Sequence, residues 1–405
     1  MRRTAPAGRG PVRYGPPAPE PGLPVLPELA AVFAAAAGRT DAEPPGGGPA
    51  LRAAAAGYWE RRGLHGDAGC VAAAPGAPPL LAALMAARGG DILLPRPCPA
   101  WWVPLARTLG RPVYHVPTPA ECGGVPDPYA LLETVRRVRA EGGDPKLLLL
   151  CLPDDPTATV APPEVVHEVC EAAASEGLHI VSDETWSSTV HRPYQAVLLS
   201  PAEMYPGQVT VLVDLAGGHT PAAWPVAVAR FPLTEYGAGL RGATLDILTA
   251  LGAAVTGPVA EAAAYALGEP EPVTARTVAA TTLHARVAAA AHRAVLASGA
   301  LARPPQAGRH LYVDLGPLRA GLAARGVTDS MEVEDHLSTR LGSPVPGGHR
   351  FGDDMSALRV RIATAGLLGA TPEQRMESLT AADPLELPHV ARALSMLGSA
   401  FDELG

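Results

Sequence analysis

Residues 145–186 read PKLLLLCLPDDPTATVAPPEVVHEVCEAAASEGLHIVSDETW, and this stretch decides the fold. KLLLLCLP is an unbroken apolar run closed by proline, which predicts a strand buried on both faces. PPEVVHEVCEAAASEG predicts a helix, with proline in the first turn, where a missing N–H costs nothing, and glycine at its end. LHIVSDE is a second buried strand. Two continuously apolar strands joined by a helix are what a parallel sheet covered on both faces requires.

The same rhythm extends in both directions. Upstream, GCVAAA, DILLP and PVYHV read as strands, alternating with helices at PLLAALMAARGG and WWVPLARTLG. Downstream, VTVLVDLAG and PVAVARF add two strands. An alanine-rich helix then spans about residues 273 to 298, and beyond it HLYVDLG, MEVEDHLSTRLG, ALRVRIAT and a C-terminal helix form a smaller α+β unit. The expected organisation is an arm and first helix over 1–39, a large α/β domain over 40–290 with a mostly parallel sheet flanked by helices, and a small domain over 291–405.

At 405 residues the chain has room for a large core without disulfide staples. A net charge of -8 with no basic block gives no footprint for nucleic acid or an anionic membrane. The five cysteines show no CxxC pair and no histidine at ligand spacing, so they predict reduced thiols, no metal site and a cytoplasmic setting. Lys146 is the only lysine; every other basic residue among the 32 is arginine.

In an open parallel sheet, ligands bind beyond the carboxyl ends of the strands. Three strands end in acids: Asp155 lies in the turn after KLLLLCLP, Asp183 closes LHIVSD and Asp214 closes VTVLVD. Acids there pair with a protonated ring nitrogen, an amine or a metal, or simply cap the next helix. Arg359 and Arg361, two apart on one strand, share a face that suits a carboxylate. The turn PGAPPLL has the form of an anion-binding helix start, but Pro78 and Pro79 carry no N–H.

Taken in order, GGGPALRAAAAGYWERRG (46–63), RGGDILLPRPCPAWW (88–102), LPDDPTAT, VSDETW, VDLAGGHTPAAWPVAVARF (213–231), AGRHLYVDL, GGHRFG and LRVRIAT resemble the class I/II aminotransferases of pyridoxal-phosphate fold type I. The resemblance covers nearly the whole chain. It implies that Asp183 pairs with the cofactor's pyridine nitrogen and that Arg359 binds a substrate α-carboxylate. Asp155 stands where the family has an asparagine on the ring hydroxyl, Trp186 replaces a tyrosine, and Pro99 sits at the stacking aromatic's position, with Trp101 and Trp102 close enough to substitute if the turn is rearranged. It also implies a homodimer.

Against that pattern, Gly217 falls at the Schiff-base lysine, Asp214 at a phosphate-binding serine and Pro225 at a phosphate-binding arginine. A carboxylate about 4 Å from a phosphate charge costs roughly 4 kcal/mol at an effective dielectric near 20. The leading expectation is therefore a repurposed site that binds a small amino acid or 2-oxo acid without an internal aldimine and needs no cofactor. In it, Asp183, Asp214 and His219 are the catalytic candidates, and Arg359, Asp155, Trp186 and Trp102 contact substrate. One alternative is pyridoxal or pyridoxamine phosphate held non-covalently, with His219 as base; another is a non-catalytic metabolite-binding or regulatory protein.

Overall fold

The structure, a computed structural model, describes residues 20–193 and 196–405; most of the N-terminal arm read from the sequence lies outside them. Seven strands build the main sheet: β1 (Val71–Ala74), β2 (Asp91–Arg96), β3 (Val113–Pro117), β4 (Pro145–Cys151), β5 (His179–Asp183), β6 (Val209–Asp214) and β7 (Ala227–Arg230). Their order is β1-β7-β6-β5-β4-β2-β3. Pairs from β3 through β6 are parallel, and β7 alone runs antiparallel to both of its neighbours. The connection from β6 to β7 holds no helix, and a parallel return needs a crossover, so β7 comes back as an antiparallel partner.

Leu147, Leu148, Leu149 and Leu150 of β4 are all fully buried, alternating between two hydrophobic clusters on opposite faces of the sheet. Each such side chain contributes on the order of 2 kcal/mol. The following helix, Pro163–Ser175, begins on proline and buries Val166, Val169, Cys170 and Ala173 against one face. Gly177, at φ 69, takes the left-handed turn that ends it and feeds β5. On the other face lie the helices Ala77–Arg88 and Glu235–Ala250.

The long helix Glu271–Ala297 leads from this layer to a second core, presenting Leu283, Val287, Ala291 and Val295 at four-residue spacing. That core is covered by a smaller antiparallel sheet of β8 (Leu301–Ala302), β9 (His310–Asp314) and β10 (Arg359–Ala363), in the order β10-β9-β8. All five cysteines are buried free thiols. No described helix is long and apolar enough to cross a membrane.

Candidate active site

Strands β6, β5 and β4 are neighbours, so the acids at or just beyond their carboxyl ends fall within about 10 Å of one another at the usual strand spacing. Asp183 is buried at the tip of β5. Its Oδ1 accepts the Thr185 hydroxyl at 2.6 Å and the Thr185 backbone N–H at 3.1 Å. The Thr185 hydroxyl in turn accepts the Asp214 backbone N–H at 2.9 Å, so one threonine ties the ends of β5 and β6 together. Burial, reinforced by the charges of Asp214 and Asp155, pushes the Asp183 carboxyl up to about 7. No cation is bonded to it among the described residues.

Asp214 has a different surrounding. Its Oδ2 accepts the backbone N–H of Ala77, the first residue of the helix Ala77–Arg88, at 3.1 Å, and its Oδ1 accepts that of Ala216 at 2.9 Å. Pro78 and Pro79 follow Ala77, so the one N–H in the first three helical positions is already taken by a carboxylate of this chain. Asp214 is a cap delivered from across the sheet.

Asp155 accepts Arg361 Nη1 at 2.7 Å, while Arg361 Nη2 donates to Glu20 at 2.6 Å. The His310 ring lies 3.6 Å from the same Asp155 oxygen and edge-on to Trp186, with centroids 5.7 Å apart. Burial and the charge of Arg361 hold this histidine down near 4, so it is neutral at pH 7. The arginine pair on β10 thus splits: Arg361 turns inward to Asp155. Arg359, proposed for the α-carboxylate, is instead held by Asp314 at 3.0 Å and Asp353 at 3.1 Å, with its side chain 38% exposed. Two acids already neutralise it, which corrects that expectation.

Trp102 is also displaced from its expected role. It starts a helix, is 1% exposed and belongs to the core beneath Trp101, leaving no face for a ligand. His219 sits in a tight turn in which Gly217, at φ 83, donates to Thr220 and His219 donates to Leu215. Its ring stands edge-on to Tyr58, centroids 5.9 Å apart, and its Nδ1 is buried without a partner. Burial and the nearby Arg62 lower it to about 4. It lines a cavity with Gly217 and Arg309 that Asp183 and Asp155 do not line. Thr185, Glu20, His310 and Arg309 were not singled out from the sequence; each acts through a partner more than a strand away, except Thr185, whose hydroxyl two residues past Asp183 is a local turn signal. No described group of three or more His, Cys, Asp or Glu side chains is arranged to hold a metal.

The fold resembles known structures over nearly the full chain. An aspartate aminotransferase from Thermus thermophilus with maleate superposes with a TM-score of 0.74 at 22% identity, covering 94% of this chain and 90% of that one. N-Succinyldiaminopimelate aminotransferase from Mycobacterium tuberculosis gives 0.74 at 21%, covering 95% and 92%. The sequence model "Aminotransferase class I and II" matches residues 23–214. The chain has the fold of these aminotransferases, and its sequence resembles the class I and II family over residues 23–214. A probable aspartate/prephenate aminotransferase of Thermus aquaticus is 30% identical over 203 residues, 49% of this chain and 51% of that protein, and its Thermus thermophilus counterpart is 30% identical over 207. The chain thus spans about half the length of the curated relatives it matches.

These likenesses overturn the expectation that no cofactor is involved, because the aminotransferases that the chain resembles use pyridoxal phosphate. The residues present meet that group unevenly. A buried carboxyl without a cation, Asp183, suits a protonated ring nitrogen. The phosphate end does not fit: Asp214 fills the helix N-terminus, Pro78 and Pro79 offer no donors, and Pro225 offers no charge.

Proposed function

We propose that this aminotransferase-fold protein binds a small amino acid or 2-oxo acid at the tips of β4, β5 and β6 and does so without an internal aldimine, any pyridoxal or pyridoxamine phosphate being held non-covalently through Asp183. The observation that carries the reading is the turn at Gly217. It stands at the nucleophile position with a positive φ that strains any side-chain-bearing residue. Lys146, the only lysine, lies near the opposite end of β4, about 17 Å from its tip at 3.3 Å per residue, and is paired with Asp144 at 2.9 Å.

The chain's own residues divide the work by charge. Asp183 holds a cationic nitrogen, whose arrival stabilises the ionised carboxylate. Arg361 is the carboxylate-binding cation, and a substrate carboxylate exchanges there with Glu20. Neutral His310 and Trp186 wall the space beside Asp155 and limit water access. Pyridoxal phosphate, when bound, supplies the electron sink of amino-acid chemistry. A homodimer is part of the same proposal, by family likeness.

The test removes the last lysine. Lys146→Arg is expected to bind pyridoxamine phosphate and pyridoxal phosphate as the parent does, by equilibrium dialysis, and to convert the same amino acids, by mass spectrometry of products. Loss of either property with the variant would show that Lys146 is the nucleophile.

A further inference from the structure

The cavity lined by Gly217 and His219 lies between the long helix Glu271–Ala297, the loop before β9 and the chain segment 22–29, and has a volume of about 90 Å³. Two arginines line it. Arg309 donates one Nη1 hydrogen to the Gly217 carbonyl, and its guanidinium lies 6.0 Å over the Trp186 ring; its other N–H groups have no partner among the described residues. Arg276 donates to the Pro24 carbonyl. Neither forms an ion pair with any described carboxylate. Glu20 acts on Arg309 from a distance but is hydrogen-bonded to Arg361, and residues 1–19, 194 and 195 contain no Asp or Glu.

Two guanidinium groups in one recess, with only Glu20 acting on Arg309 from a distance and that carboxylate bonded to Arg361, are costly. Burial pushes both down from their ordinary values, and Arg276 opposes the charge on Arg309 further. The walls add Ser188 and Thr281, whose hydroxyl donates to the Ser188 carbonyl at 3.5 Å. Above Gly217 there is open space, since a Cβ built there meets nothing within 4 Å.

We propose that this cavity is a binding site for a small oxyanion, the carboxylate or phosphate group of a metabolite, held between Arg309 and Arg276. The anion supplies the directly bonded counter-charge that neither arginine has, and both arginines donate hydrogen bonds to it. The site is separate from the Asp183 pocket, and its test is independent of how that pocket works.

The test is thermal unfolding of the full chain with increasing inorganic phosphate or succinate, against sodium chloride at matched ionic strength. A saturable rise in Tm with phosphate or succinate is expected, absent with chloride; a response to phosphate alone assigns a phosphate group, and one to succinate alone assigns a carboxylate. Arg309→Met and Arg276→Met are each expected to abolish the rise, while Arg309→Met in anion-free buffer melts no lower than the parent, having shed an unpaired buried charge. Arg309→Lys keeps the charge without the fork and weakens binding by about ten-fold or more. No saturable rise with either anion, or a rise unchanged in Arg309→Lys and Arg276→Met, overturns the proposal. A rise lost equally in Arg359→Gln, an arginine outside the cavity, overturns it as well.

Discussion

Asp183 and Asp214 end adjacent parallel strands, are the same residue type and are joined through one threonine hydroxyl, yet they are set for opposite tasks. Asp214 spends both oxygens on backbone N–H groups and closes the helix start that faces the sheet. Asp183 keeps an oxygen without a cation, in a buried place that favours its neutral form. What separates them is whether a fixed positive dipole already answers the charge. Where the helix end does so, the acid is structural; where nothing does, the acid is held ready for a ligand.

The largest expected effect comes from removing the ready acid. Asp183→Asn is expected to weaken pyridoxamine phosphate binding about 100-fold in equilibrium dialysis, the worth of one charged hydrogen bond near the top of its usual range. Binding equal to the parent would place the ligand elsewhere and break the comparison.

The second effect is on pH dependence. The folded-state pKa of Asp183 is raised to about 7, from an unfolded value near 3.8, and Glu184 and Asp154 are raised to about 7 and about 8, all chiefly by burial. The folded state therefore holds protons that the unfolded chain releases, so stability is fully present below about pH 4 as far as these groups go and declines as pH rises toward 8. Melting temperature without ligand is expected to fall between pH 5 and pH 8, and Asp183→Asn is expected to fall less. A flat profile for the parent would show that Asp183 is already answered by a cation.

The smallest effect is that of the cap. Asp214→Ala is expected to cost about 1 kcal/mol in denaturant unfolding, as for loss of a helix cap, while tightening pyridoxamine phosphate binding because the helix N-terminus is freed. A change in stability without any gain in affinity would mean that the ligand's anionic end lies away from that helix.

Much of this was open to reading from the chain alone. The apolar run at Leu147–Leu150 and the acids that follow each strand gave the parallel sheet and the position of Asp183, since both rest on local pattern. Pro78 and Pro79 announced a helix start poor in donors, but that Asp214 reaches Ala77 depends on β6 lying one strand away from β1, across β7, a fact of packing. Face parity put Arg359 and Arg361 together; only the positions of Asp314 and Asp353 decide that Arg359 is held outside while Arg361 turns in. Trp102 entered only through the resemblance, as a stand-in for the family's stacking aromatic, and burial claimed it for the core. Arg276 and Arg309 carry no motif: one lies on the long helix and the other precedes β9, and the fold alone makes them neighbours.

The five buried thiols make the folded chain nearly inert to thiol-labelling reagents. Burial alone raises the Cys170 thiol to about 12, so it is not only hidden but protonated. Cysteine alkylation in this protein is therefore a clock of opening: each thiol reacts when its own layer parts, Cys70 and Cys170 with one face of the main sheet, Cys98 and Cys151 with the other. The order in which the mass tags appear would map, layer by layer, how the molecule comes apart.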